Sequence, residues 1–164
     1  MLSMLRYDMK GAEDRLKVET CAISAEEVIA ILEREATLTL ATCADNHVTI
    51  RPISHINVGL NIYFQTDADS LKMNQITANP FVAMCVGTFE IEGAAAPCGH
   101  PLAEQNAFFA KAYQEKHPSS FKKYSTLEDE IVIHVAVRRV RQWRYLEGKP
   151  VLAESELTGT EKER

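Results

Sequence analysis

The chain has 164 residues, 46% of them hydrophobic and 25% charged, with 7 Gly and 6 Pro, which suits one packed domain and excludes collagen-like, low-complexity and wholly disordered chains. Its 18 Lys and Arg against 23 Asp and Glu leave a net charge of −5, so a role in coating nucleic acid by phosphate neutralisation is not expected. The four cysteines (Cys21, Cys43, Cys85 and Cys98) contain no C-x-x-C pair, and no apolar run approaches the ~20 residues that span a bilayer. Met1–Lys10 mixes Arg6, Asp8 and Lys10 with its apolar residues, unlike a signal peptide. The expectation is a cytoplasmic protein with reduced thiols and neither a membrane nor nucleic acid as partner.

In chain order, Met1–Thr20 is charged and irregular, and Ser24-Ala25-Glu26-Glu27 has the S-x-x-E form that opens a helix by reciprocal capping. Val28, Ile31 and Leu32 then fall on one stripe. From Thr37 the pattern turns to alternation: Thr37–Cys43, a polar turn over Ala44–His47, and Val48–Ile56 make a hairpin. After Gly59-Leu60-Asn61, Ile62–Thr66 predicts a third strand, and the short connections predict an antiparallel meander. Pro52 has no N–H for a ladder, so its stretch of strand belongs at an edge, at a bulge, or beside something other than a strand. Asp67–Ser70 caps a helix over Leu71–Ala78 that Asn79-Pro80 ends. Phe81–Gly87 reads as a buried strand, Phe89–Ala95 continues the sheet, and Leu102–Lys116 is helical. Ile131–Val137 and Gln142–Leu146 are the last strands, and Ser155–Arg164 is expected to fray. Six or seven strands with three helices fit a mostly antiparallel barrel better than a parallel α/β sheet.

The segment richest in chemistry is Arg51-Pro52-Ile53-Ser54 together with Gln65-Thr66-Asp67-Ala68-Asp69-Ser70-Leu71-Lys72. A helix starting near Ser70 presents free N–H groups and a partial positive charge, to which Ser70 adds a hydroxyl and Lys72 a cation. Arg51, with its planar fork, suits a phosphate monoester at the same place. Spacing alone leaves the plainer reading open, with Ser70 a simple cap and Lys72 and Arg51 solvated surface charges.

Thr39-Leu40-Ala41-Thr42, Arg51-Pro52, Ile62-Tyr63-Phe64-Gln65-Thr66, Ser70-Leu71-Lys72 and Asn79-Pro80-Phe81-Val82-Ala83-Met84, in this order and spacing, resemble the pyridoxamine 5′-phosphate oxidase-like family, the flavin-binding split barrels. The linked motifs cover roughly residues 38–86; the later strands agree in pattern alone. The resemblance implies a six-stranded antiparallel split β-barrel and a homodimer with FMN at the subunit interface. Carried over by position, Arg51 and Lys72 pair with the FMN phosphate and Ser70 hydrogen-bonds it. Gln65 and Thr66 lie beside the phosphate and ribityl chain. The strand through Pro52, Ile53 and Ser54 supplies backbone groups along the isoalloxazine edge, and Trp143 is a weaker candidate reaching toward the partner's flavin. On this reading residues 1–23 are an extension, 24–150 the FMN-binding domain and 151–164 a polar tail.

Leu71 stands where the oxidase proper has a basic residue, and Ile56 where it has a second lysine. Its C-terminal substrate-binding arginine motif is missing too, which argues against pyridoxamine phosphate as the substrate. The implied function is an FMN-dependent oxidoreductase acting on an unnamed small molecule. The alternative is a flavin- or haem-binding carrier or sensor without turnover on the same barrel. No catalytic acid or base is assigned; His55 is a candidate proton donor or substrate contact, and Trp143 also reads as core or dimer packing. Arg138–Arg141 reads mainly as a solvated strand face. Cys98-Gly99-His100 reads as a loop without metal, since no second ligand pair accompanies it.

Overall fold

The computed structural model describes residues 19–156. A strand β1 (Glu19–Cys21) precedes helix α1 (Ala25–Arg34), where the Ser24 side chain accepts from Glu27 N and the Glu27 carboxylate accepts from Ser24 N, the reciprocal cap expected. Val28, Ile31 and Leu32 bury its apolar stripe. The hairpin β2 (Thr37–Ala44) and β3 (His47–Ser54) pairs over its whole length, from Thr37 opposite Ser54 to Ala44 opposite His47. Its two-residue turn, Asp45-Asn46, has φ of 49° and 61°, the left-handed conformation that suits the strand twist and that short polar side chains tolerate.

Beyond His55 the chain resumes as β4 (Ile56–Val58), turns, and returns as β5 (Asn61–Asp67). The meander expected here holds only in part: β5 pairs with the three residues of β4, and β3 itself has β2 as its one ladder partner. Helix α2 (Leu71–Ala78) has the bounds expected, with Ser70 as N-cap. β6 (Phe81–Val86) buries one face instead of two, alternating from exposed Phe81 to buried Val86. β7 (Phe89–Pro97) follows.

The helix expected from Leu102 begins later, as a 3-10 turn at Glu104–Asn106 and then α3 (Ala107–Lys116). Buried Asn106 donates through Nδ2 to the carbonyls of Cys98, Gly99 and His100 at 2.9, 3.3 and 2.9 Å, which holds residues 98–103 in a loop. A helix not foreseen, α4 (Pro118–Tyr124), has Pro118 at its start, where the missing N–H costs nothing. The two late strands expected are one, β8 (Glu130–Leu146), followed by β9 (Lys149–Glu156).

Among the described residues the sheet holds nine strands where six were expected: β2, β3, β5, β6, β7 and β8 are the expected ones, and short β1 and β4 and the eight-residue β9 are additional. The path β3-β2-β6-β7-β8-β5-β4 runs almost full circle, because β8 pairs with β7 on one side and β5 on the other. The circle stays open between β3 and β5, which makes a split barrel. Leu40, Ile62, Phe64, Ile91, Ile133 and Val135 fill its interior. A second apolar cluster, Ile56, Phe109, Tyr113 and Val132, lies under α3.

The sheet also passes both domain limits expected from sequence. β1 pairs in parallel with β9, where Val151 and Ala153 are buried. Fraying from Ser155 is not what the structure shows at its start, since Ser155 Oγ accepts from Ile23 N at 2.9 Å and donates to Ile23 O at 2.8 Å. The remainder of both expected terminal segments lies outside the described residues.

At the bulge between Glu92 and Gly93, a Cβ on Gly93 would stand 2.7 Å from a Val135 methyl and 2.8 Å from Ala136 O. Because the backbone oxygen cannot move aside cheaply, Gly93→Ala is expected to destabilise by about 1–3 kcal/mol. Urea denaturation checks this, and unchanged stability would contradict the close packing of β7 on β8.

Candidate functional site

The opening between β3 and β5 places side by side two strand edges that are unpaired among the described residues. Pro52 lies on the outer β3 edge, as its missing donor requires, with Thr39 as its ladder partner across β2. β5 loses its β4 partner after Tyr63, so Phe64–Asp67 present a free edge toward β3.

On β3, Thr49, Arg51 and buried Ile53 face inward, while Val48, Ile50 and Pro52 face out. The half-buried Arg51 guanidinium donates through Nη1 to Thr42 Oγ1 at 2.7 Å and to Leu40 O at 3.4 Å, and through Nη2 to Thr49 Oγ1. Both threonine hydroxyls donate to Gln75 Oε1, Thr42 at 2.6 Å and Thr49 at 2.5 Å, and Gln75 Nε2 donates to His47 O at 2.9 Å.

From the other side, Ser70 caps α2, its Oγ accepting from Met73 N at 3.4 Å and sharing a 3.2 Å hydrogen bond with Thr66 Oγ1. Lys72 is the second residue of the helix. Burial, and next the nearby Arg51 charge, lower its pKa, while Glu130 and Asp67 work to raise it. Burial also lowers that of Arg51, and Glu130, buried beside Asp67, is pushed up by burial first. No carboxylate lies within ion-pair distance of Arg51 or Lys72 among the described residues. Two like charges are thus held near each other with the helix N-terminus and two hydroxyls, an arrangement that offers a compact anion several charge-assisted donors.

The expected site residues therefore divide. Thr66 and Ser70 share a hydrogen bond, Lys72 follows on the helix that Ser70 caps, and Arg51 is near enough for its charge to act on Lys72. Ile53 belongs to the core by its side chain, leaving only its backbone for the opening. Pro52 and Ser54 project from the other face of β3, away from Arg51. Gln65 points to the opposite face of β5 from Thr66; its Oε1 accepts from Ser125 Oγ at 2.7 Å and its Nε2 is buried with no partner. Trp143 is exposed on β8, twelve residues beyond the point where Ile131 pairs with Thr66, or about 40 Å of strand at ~3.3 Å per residue. Within one chain it takes no part in the cradle.

His55 is fully buried, its Nε2 hydrogen-bonded to Leu32 O at 3.0 Å, and burial followed by the Lys116 charge lowers its pKa to about 4. Buried, neutral near pH 7 and bonded to the end of α1, it is not exposed to act as the candidate proton donor or substrate contact. In the loop before α3, His100 accepts from Leu102 N through Nδ1 and bonds Leu127 O through Nε2. Arg139 and Arg141 are matched by Glu90, Glu92, Glu154 and Glu156 across the sheet, as a paired strand face should be. Sequence reasoning missed Thr42, Thr49, Gln75 and Glu130. The signal for Gln75 was present: a polar residue between Met73 and Ile76 on the buried side of a short helix.

Residues 24–144 match the pyridoxamine 5′-phosphate oxidase family. No curated protein matches the chain. Among solved structures, the general stress protein 26 from Bacillus anthracis is 17% identical, with a TM-score of 0.60 over 71% of this chain and 90% of that one. An FAD-binding protein from Mesorhizobium loti is 15% identical, with a TM-score of 0.59 over 72% and 92%. A haem storage protein from Vibrio cholerae is 12% identical, with a TM-score of 0.59 over 80% and 92%. At these identities the structures testify to the fold, and the match over most of the chain adds the family: this protein belongs to the pyridoxamine 5′-phosphate oxidase family.

Proposed function

We propose that the protein binds FMN in the opening between β3 and β5 and acts as a flavin-dependent oxidoreductase on a small molecule. The observation that carries this reading is the pairing of Arg51 with Lys72, two half-buried cations from separate elements that no carboxylate neutralises within ion-pair distance among the described residues. A phosphate monoester carries about −1.5 to −2 at pH 7, which matches that charge. The residues fit the rest of the group as well. Ser70 and Thr66 bring hydroxyls, and the free edges of β3 and β5 among the described residues bring backbone donors and acceptors for a planar ring.

Bound flavin supplies two-electron transfer, and the protein supplies position and electrostatics. Arg51 and Lys72 anchor the phosphate end, which fixes how far the rest of the molecule extends along the opening. Pro52 removes an N–H that a strand neighbour would otherwise use, so that stretch of β3 edge is open to a ligand in place of a strand.

A second copy of the chain completes the site. Val48, Ile50 and Phe81 are 63, 70 and 57% exposed on the outer face of the barrel. A cavity of about 830 Å³ opens on this face among Ala41, Cys43, Val48, Phe81, Ala83 and Arg138. Apolar area of this kind marks an interaction surface. Trp143, remote from the cradle of its own chain, is then available to the partner's.

The haem alternative draws on the haem storage protein of like fold. Against it, four of the five histidines, His55, His100, His117 and His134, already hold a protein oxygen through Nε2. Purified protein is expected to carry flavin absorption bands, to sediment as a dimer, and to bind FMN more tightly than riboflavin. A Soret band instead supports the haem carrier, and indifference to both FMN and haem defeats both. Bound flavin that nicotinamide donors leave oxidised counts for the carrier.

A further inference from the structure

The Arg51 side chain reaches the opening already engaged, and the way it is engaged decides which part of it remains. A guanidinium has five N–H donors. Nη1 uses both of its own on Leu40 O and Thr42 Oγ1, and Nη2 uses one on Thr49 Oγ1. What is left, Nε–H and the second Nη2–H, lies along one edge of the plane, the edge that grips two oxygens of a single phosphate or carboxylate.

This division depends on Gln75. A threonine hydroxyl that must donate elsewhere turns its lone pairs to a cation, and both hydroxyls here donate to the same atom, Gln75 Oε1. The amide cannot be reversed without placing its oxygen against His47 O, a carbonyl that accepts only, where Nε2 now donates at 2.9 Å. Gln75 is 3% exposed and Thr42 1%, so water does not substitute for these partners. Both polar atoms of Gln75 are engaged in the network, Oε1 by the two hydroxyls and one N–H of Nε2 by His47 O.

We infer that Gln75 is a positioning residue for anion binding: through Thr42 on Nη1 and Thr49 on Nη2 it holds the far end of the Arg51 guanidinium and leaves the Nε–Nη2 edge for a ligand in the opening between β3 and β5. The inference rests on the phosphate-binding reading above and adds to it a residue that touches no ligand. Gln75 also lies on α2, one turn beyond Lys72, so the same helix that carries one cation sets the aim of the other. The two sides of the cradle are thereby built as a unit.

The test is a double-mutant cycle read as the ratio of FMN to riboflavin affinity, since riboflavin has the ring and ribityl chain without the phosphate. Gln75→Leu is expected to weaken FMN about tenfold, the scale of one charge-assisted hydrogen bond lost, and to change riboflavin by less than about twofold. In an Arg51→Ala background the same substitution is expected to change neither ligand. Should Gln75→Leu fail to fold, Thr42→Val with Thr49→Val removes both relays at nearly constant shape, and the same ratio is read. An unchanged ratio in the folded variant, or an equal loss with and without Arg51, overturns the positioning role. A wild-type protein that binds FMN no better than riboflavin overturns the phosphate reading itself, and this inference with it, before any substitution at position 75 is made.

Discussion

Lys72→Ala and Arg51→Ala are each expected to weaken FMN binding by about 10- to 100-fold, because hydrogen bonds to charged groups contribute about 1.5–3 kcal/mol each. Riboflavin binding is expected to stay within about twofold of wild type in both, since neither ring nor ribityl chain needs a cation. The two effects differ in kind. Lys72 is a point charge at the start of α2, so Lys72→Arg should recover most of the affinity. Arg51 is a fork held at two points, and Arg51→Lys should recover little, because an ammonium cannot present two parallel donors. FMN affinity should also fall as pH drops through about 6, where the phosphate loses its second charge. Fluorescence titration of the apoprotein measures all of these. Retention of normal FMN affinity in either alanine variant would remove the cradle from the opening between β3 and β5.

The second large effect concerns stability in acid. His55 is fully buried with its pKa lowered from 6.5 to about 4. Leu32 O accepts from both His55 Nε2 and Lys116 Nζ, at 3.0 and 2.9 Å, and Nδ1 is buried without a partner. The folded state keeps this ring neutral, whereas the unfolded chain binds a proton near pH 6.5. Between those two values the unfolded state holds more protons, so stability is complete above about 6.5 and is lost as pH falls toward 4. The loss is about 3 kcal/mol. His117 and His134, also lowered by burial first, act in the same sense, and Glu130, raised by burial, acts in the opposite one. The difference between wild type and His55→Gln is therefore the informative quantity. Glutamine places an N–H₂ where Nε2 stands and does not titrate in this range, so its urea-unfolding free energy should lose most of the slope between pH 4 and 6.5. Equal slopes in the two proteins would show that His55 is protonated without cost.

The structural role of His55 shows why a histidine next to a ligand-facing strand was misleading. Its position follows Ser54 by one residue, and alternation suggests a side chain near the opening. The break between β3 and β4 falls there and turns the ring under the end of α1, where two donors converge on Leu32 O. His117, on the far side of α3, closes the arrangement by bonding His55 O at 2.9 Å. These contacts join residues 23, 62 and 84 positions apart, and no local pattern carries them.

Local chemistry made much else legible. Ser24 with Glu27, the Asp45-Asn46 turn and Ser70 ahead of Leu71 are stereochemical signals a few residues long, and each produced the element expected. Alternation in residues 37–54 set the hairpin register, because a slip by one residue would turn Leu38 and Leu40 out of the core. The cations of the cradle were legible for the same reason: Arg51 is placed by its strand and Lys72 by its helix start. That the two would stand together required the barrel to form.

By itself, then, the chain of letters determined the hairpin and the capped helices, and it marked the residues proposed to hold an anion, since those depend on neighbours within one turn or one strand pair. Tertiary structure alone decided that β8 is one long strand shared by β5, β7 and β9, that β1 pairs with the distant β9, and that Gln75 is bound to Thr42 and Thr49. Each of those outcomes comes from satisfying a buried donor, acceptor or strand edge with a group far away in the chain, and the partner is known only once the whole barrel is built.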